Sequence, residues 1–207
     1  MYKIYCPYFL TNTEFDWIDN VEAVDTPEEA DIVLFSGGAD INPSLYNCKC
    51  SPHTHYNDYR DKLEIQCYNK LTPKQIVIGL CRGAQLLTAL NGGKLIQDVT
   101  GHNCGPHYIT NGETKFKIES IHHQMMYPFD MDTDDYELLY WSSTKRSSHY
   151  EGDNVTAPEK EPEVIHYHKK GQPQALAIQG HPEMMRKCVA HKIFNEIIKK
   201  MLNHLDN

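Results

Sequence analysis

Cys81 stands in Ile78-Gly-Leu-Cys-Arg-Gly-Ala-Gln85, where a branched, apolar run meets a helix-forming one. Glycines at 79 and 83 bracket it. This is the cysteine counterpart of the strand–turn–helix nucleophile elbow, in which a sharp turn pushes the reactive side chain out at the carboxyl edge of a sheet. Glycine on either side is required because a Cβ there would collide with the neighbouring strand or helix. A helix N-terminus beside the sulfur favours thiolate over thiol. A thiolate nucleophile wants a base, and the base wants a group to orient it. Gln179-Gly-His181-Pro-Glu183 offers both. On an extended chain, residues two apart point to one side, so His181 and Glu183 can pair, with Pro182 keeping the backbone extended.

These groups need a scaffold, and the periodicity supplies one. Strands are expected at Lys3–Tyr5, Val21–Val24, Asp31–Phe35 and Gln75–Leu80. Further strands are expected at 115–119, 136–140, 163–168 and 174–179. Tyr59, Leu63, Cys67 and Leu71 recur every four residues as one face of a helix stopped by Pro73. A second helix over 83–91 ends at Gly92. A third carries the stripe Val189, Ile193, Ile197 and Met201, widened by Phe194, Ile198 and Leu202. Strands alternating with helices imply an α/β three-layer sandwich with a mostly parallel central sheet. Residues 151–163 are a Pro- and Glu-rich loop within one domain over 1–207, since neither flank could bury its own apolar face alone.

Composition excludes several function classes. Of 207 residues, 40% are hydrophobic and 23% charged, which is ordinary globular usage. Lys and Arg number 20 against 28 Asp and Glu, a net charge of −8, which argues against a nucleic-acid binder. No apolar run is long enough to span a membrane, and the first residues do not read as a signal peptide. Seven scattered cysteines read as free thiols in a reducing cytoplasm rather than a disulfide framework. Cys48, Cys50, His53 and His55 lie within eight residues, but a Cys-x-Cys pair is closer than structural zinc sites usually space their ligands. That cluster is expected to be incidental, and no metal or organic cofactor is expected.

With the elbow and the distant His-Pro-Glu in place, the chain resembles the class I glutamine amidotransferase-type cysteine hydrolases, and more narrowly the γ-glutamyl hydrolase and γ-glutamyl-γ-aminobutyrate hydrolase (peptidase C26) branch. The narrower likeness rests on further segments in family order. They are Gly37-Gly-Ala-Asp-Ile-Asn-Pro-Ser-Leu-Tyr46, Arg60-Asp-Lys-Leu-Glu64, Asn91-Gly-Gly-Lys-Leu-Ile-Gln-Asp98 and Ser120-Ile-His-His-Gln124. The resemblance implies a flavodoxin-like fold and hydrolysis of a γ-glutamyl amide through a γ-glutamyl thioester. Cys81 would be the nucleophile, His181 the base and Glu183 its orienter. The backbone at Gly37, Gly38 and Arg82 would form an oxyanion hole. Gln85 would hold the glutamyl end, while His122, His123 and Gln124 would line the pocket and help choose the leaving amine. The partner expected is a small γ-glutamyl substrate, with no nucleic acid and no membrane, and a homodimer is left open. Two other readings stand beside this one: a stand-alone glutaminase feeding ammonia to a separate synthetase, and a non-catalytic binding protein on the same fold.

The sequence departs from the family at two points. Gly180 stands where an aromatic usually precedes His-Pro-Glu, so the wall beside His181 is expected to be more open. Too few residues separate the first strand from Val21 for a regular crossover helix.

Overall fold

Strands buried on both faces must be apolar throughout, and Ile32–Phe35, Ile76–Leu80 and Gln174–Ile178 meet that demand at the centre of the molecule. The computed structural model describes residues 1–8 and 15–205. The strands in chain order are β1 (Tyr2–Tyr5), β2 (Val21–Ala23), β3 (Ile32–Phe35), β4 (Ile76–Leu80), β5 (Lys94–Ile96), β6 (Asp98–Val99), β7 (His107–Thr110), β8 (Lys115–Ile118), β9 (Met125–Tyr127), β10 (Tyr136–Ser142), β11 (Tyr150–Glu151), β12 (Pro162–Tyr167) and β13 (Gln174–Ile178). The helices are α1 (Asp58–Tyr68), α2 (Arg82–Leu90) and α3 (Val189–Leu205).

Nine strands form one mixed sheet in the order β2-β1-β3-β4-β13-β12-β10-β7-β8. From β2 to β13 every pairing is parallel, and from β13 to β8 every pairing is antiparallel. The expected parallel sheet is thus the half that carries the elbow. The α/β three-layer sandwich is the one observed. On one face Ile32, Leu34, Ile76, Ile78, Leu176 and Ile178 pack against Phe194, Ile198, Met201 and Leu202 of α3. On the other, Val33, Phe35, Val77, Ala175 and Ala177 meet Cys67 and Tyr68 of α1 and Leu86 and Leu87 of α2. The period of two along each strand sorts these side chains into the two clusters.

Several expectations change. Helix α1 forms, but Tyr59 is exposed and the buried face carries Arg60, Asp61 and Glu64. Ion pairing inside the protein, rather than an apolar stripe, fixes its rotation. The core stripe of α3 runs through Phe194, Ile198, Met201 and Leu202, while Val189 is exposed. Strands β5, β6, β7, β9 and β11 were not expected; four of them have only two or three residues, and β7 has four. Residues 15–20 form turns and bends, in line with the short spacing expected to leave no room for a crossover helix. The remainder of the connection between β1 and β2, 9–14, lies outside the described residues.

Candidate active site

The end of β4 and the start of α2 meet at Cys81, whose backbone sits at φ +48°, ψ −102°. This is a sparsely populated conformation for a residue with a Cβ, and it persists only where the surroundings hold it. The surroundings do so closely. A Cβ on Gly79 would come within 2.5 Å of the Gly83 backbone, and one on Gly83 would run into the Phe35 carbonyl oxygen. Cys81 N–H donates to the Ile178 carbonyl at 2.8 Å, which ties the elbow to β13. The residue is 7% exposed.

Beyond β13 the chain turns at Gly180 and presents His181, whose N–H donates to the Glu119 carbonyl at 2.9 Å. Nδ1 of His181 lies 2.6 Å from Oε1 of Glu183. Burial alone would lower the imidazole pKa. Hydrogen bonding to Cys81 and Glu183, together with their negative charge, outweighs it and pushes the value up to about 10. Nε2 of His181 has no hydrogen bond of standard geometry, although Cys81 dominates the attraction. Gly37 completes the cluster: a Cβ there would stand 3.0 Å from His181 Cε1 and 3.9 Å from Cys81 Cβ.

A buried ionic network sits behind this cluster. Arg82, fully buried, pairs with Asp61 and Glu64 of α1, and Arg60 Nε donates to Glu64 at 3.0 Å. Arg60 then donates through Nη1 to the Gly37 carbonyl and through Nη2 to the Ser36 carbonyl, both at 2.8 Å. Two guanidiniums and two carboxylates balance to zero net charge, the condition under which buried ions are tolerated. Arg60-Asp-Lys-Leu-Glu64 was legible as a motif, but its work, clamping the glycine turn to the elbow helix, was not. Gln179 was missed as well; its Nε2 lies 3.9 Å from the Cys81 sulfur. Its place two residues before His181, at the end of an apolar strand, was the available signal.

Gln85 Nε2 donates to the Gln124 carbonyl at 3.3 Å, and Gln124 Nε2 donates to Thr54 Oγ1 at 2.9 Å. His123 lies between Asp40 at 3.1 Å and Asp98 at 3.3 Å, and hydrogen bonding to Asp40 raises its pKa against the effect of burial. His122 is buried against the His102 ring with centroids 4.8 Å apart, and burial pushes its pKa down to about 3. A Cβ on Gly38 would strike the Arg60 guanidinium.

The expected opening beside His181 is corrected. A Cβ on Gly180 would lie 2.6 Å from Ile118 and 2.7 Å from the Glu119 carbonyl, so β8 fills the space an aromatic would take. A cavity of about 630 Å³ touches Glu183 together with Trp17, Met185 and His191, but Cys81 does not line it. Among the described residues, Cys48, Cys50, His53 and His55 do not bring three ligand atoms together. Cys48 and Cys50 instead contact nearby backbone carbonyls.

Comparison with known proteins gives the family and the fold. A model of the Peptidase C26 family matches residues 18–127, just over half the chain. A glutamine amidotransferase-like protein of Lactococcus lactis is 35% identical over 72 residues, covering 34% of this chain and 30% of that protein. Protein NtpR of Enterococcus hirae is 35% identical over 75 residues, covering 35% of this chain and 31% of that one. The chain therefore spans only about a third of the length of these curated relatives. Among solved structures, a Thermoplasma acidophilum protein described as a GMP synthase component superposes with a TM-score of 0.59 at 18% identity, covering 100% of this chain and 96% of that one. A glutamine amidotransferase from Thermotoga maritima gives 0.51 at 15% identity, covering 99% and 90%. These two likenesses carry the fold alone. The family match and the shared fold together make this chain a class I glutamine amidotransferase-like member of the Peptidase C26 family.

Proposed function

We propose that this protein is a cysteine-dependent hydrolase that cleaves a γ-glutamyl amide through a γ-glutamyl thioester, within one domain over 1–207. The observation that carries the reading is Cys81 at φ +48° on the strand–helix turn, beside a His181–Glu183 pair at 2.6 Å. Cys81 Sγ attacks the side-chain carbonyl carbon, and the imidazolium of His181 gives its proton to the departing amine. Water, deprotonated by the now neutral His181, then attacks the thioester carbon and releases glutamate and the thiol. Glu183 keeps the ring oriented and supports its charged form.

The oxyanion role of Gly37 and Gly38 draws support from Arg60. A trans peptide points its N–H opposite its C=O. With the Ser36 and Gly37 carbonyls held by Arg60, the N–H groups of Gly37 and Gly38 are turned away from that guanidinium and are free to meet a developing negative charge. The Arg82 N–H, at the start of α2, would be the second donor. Gln85, His123 and Gln124 would contact substrate; His122 would act from behind them. The reading assigns the protein to a reducing cytoplasm, in keeping with seven unbridged cysteines. Among the described residues no helix is long and apolar enough to cross a membrane.

A second reading, a glutaminase serving a separate synthetase, is favoured by the structural neighbour described as a GMP synthase component. One experiment separates the readings. The protein is incubated alone with glutamine and a panel of γ-glutamyl amines, and free glutamate is measured, with Cys81→Ser as control. Release from γ-glutamyl amines that is lost in Cys81→Ser is expected. Weak activity confined to glutamine would favour the synthetase partner, and no release from any substrate would favour a binding protein.

A further inference from the structure

Around Glu163 of β12 lies a buried polar cluster that includes His122, read above as standing behind the substrate pocket, and reaches beyond it. His102, His122 and Glu163 are each at most 2% exposed, and each offers one ligand atom such that all three atoms lie within 4.8 Å of one another. Their unused atoms are specific. Nε2 of His122 and Oε2 of Glu163 are buried without a hydrogen-bond partner, and Nδ1 of His102 meets only Glu163 Oε1. Oε1 of Glu163 is taken by His107 Nε2 at 2.7 Å and also faces His102 Nδ1 at 3.2 Å, which leaves Oε2 as the open oxygen. Such orphans are costly in a protein interior unless something occupies the space between them.

The outer nitrogens of both histidines are already committed. His122 Nδ1 lies 2.8 Å from the Gln124 carbonyl oxygen, which can only accept, so the proton sits on Nδ1 and Nε2 carries a lone pair. His102 Nε2 lies 3.1 Å from Glu161 Oε2. Glu161 also accepts from the Arg146 and Ser147 N–H groups and the Tyr150 hydroxyl, so it is an ionised acceptor and the proton sits on His102 Nε2. A carbonyl behind one imidazole and a carboxylate behind the other is the arrangement that fixes metal-ligating histidines. Charge points the same way. His102 bridges the two buried carboxylates Glu161 and Glu163, and a divalent cation at its Nδ1 would stand in place of the proton that this contact with Glu163 requires.

We propose that His102 Nδ1, His122 Nε2 and Glu163 supply three ligands of a buried site for a divalent transition-metal ion, zinc by ligand chemistry, with water in the fourth position. Zinc bonds of about 2.0 Å place neighbouring ligand atoms roughly 3.3 Å apart in a tetrahedron, so separations within 4.8 Å contract by up to about 1.5 Å on binding. The site has no part in bond cleavage. Its consequence for the reactive centre is positional: Gln179, whose Nε2 lies 3.9 Å from the Cys81 sulfur, donates its own N–H to the Glu163 carbonyl at 2.8 Å.

The test uses the full chain, stripped with a chelator and then desalted after exposure to zinc or cobalt(II). About one equivalent of metal should be retained and should raise the melting temperature. The cobalt form should show visible d–d absorption without thiolate charge-transfer bands, a readout that needs no variant to fold. His122→Ala and Glu163→Gln should retain only background metal, while Cys48→Ser and Cys50→Ser retain the ion. Less than about a tenth of an equivalent in the wild type overturns the proposal. So do thiolate charge-transfer bands, which would move the ion to the Cys48–Cys50 loop, and so does full retention in His122→Ala.

Discussion

His181 is the residue on which the chemistry and the electrostatics converge. Its imidazole is held up to about 10, burial working against the Cys81 and Glu183 attractions that prevail. The folded value lies above the unfolded value of about 6.5, so its contribution to stability is fully present below about pH 6.5 and is lost as pH rises through about 10. The wild type should therefore lose melting temperature across that interval more steeply than His181→Ala. Imidazole carbon shifts should report a protonated ring well above neutrality, and Glu183→Gln should move that titration down because a neutral amide cannot support the cation. Parallel pH–stability curves for the two proteins, or an unmoved titration in Glu183→Gln, would remove His181 from this role. The pair was legible in the sequence from its spacing alone; the backbone expected to be extended through Pro182 instead forms a 3-10 turn over Pro182–Met184, and that turn brings Glu183 back to His181. Gln179 was not, since a glutamine at a strand end has many possible partners and only the fold brings it to Cys81.

Among the elements, α1 bears most directly on how the site is held. Glu64 is fully buried between Arg60 and Arg82, and Arg60 in turn holds the Ser36 and Gly37 carbonyls. Glu64→Gln leaves two buried guanidiniums facing Asp61 alone, and breaking a buried pair in this way typically costs about 3–5 kcal/mol. Urea unfolding should show a loss of that order, whereas Lys62→Gln on the exposed side of the same helix should be near neutral. The existence of α1, α2 and α3 could be read from spacing, as could the central strands, because these are the segments whose burial is dictated by continuous or periodic apolar residues. The rotation of α1 could not, because its inward face is charged and looks solvent-directed until Arg82 is placed opposite. The short strands β5, β6, β9 and β11 carry too few residues to show a period, and their partners are distant in sequence.

At the scale of the whole molecule, the sheet is parallel where it carries the elbow and antiparallel beyond β13, and α3 covers the face opposite α1 and α2. Among the described residues that face depends on a single long helix, so its core residues carry a large share of a stability that for globular domains is only about 5–15 kcal/mol. Phe194, fully buried against Trp17 and Phe116, should cost about 3–5 kcal/mol when cut to alanine, and half-buried Ile197 clearly less. Denaturant midpoints for the two variants check the order, and an equal loss would place the stripe where the sequence first suggested. The antiparallel half also reaches the reactive centre: Ile118, the last residue of β8, occupies the volume beside Gly180. These two positions therefore behave as one steric unit shared between distant parts of the chain. A His-Pro-Glu loop grafted from a relative with an aromatic at that place would not seat here by itself; donor and recipient would have to exchange the C-terminal end of β8, at Ile118 and Glu119, along with it.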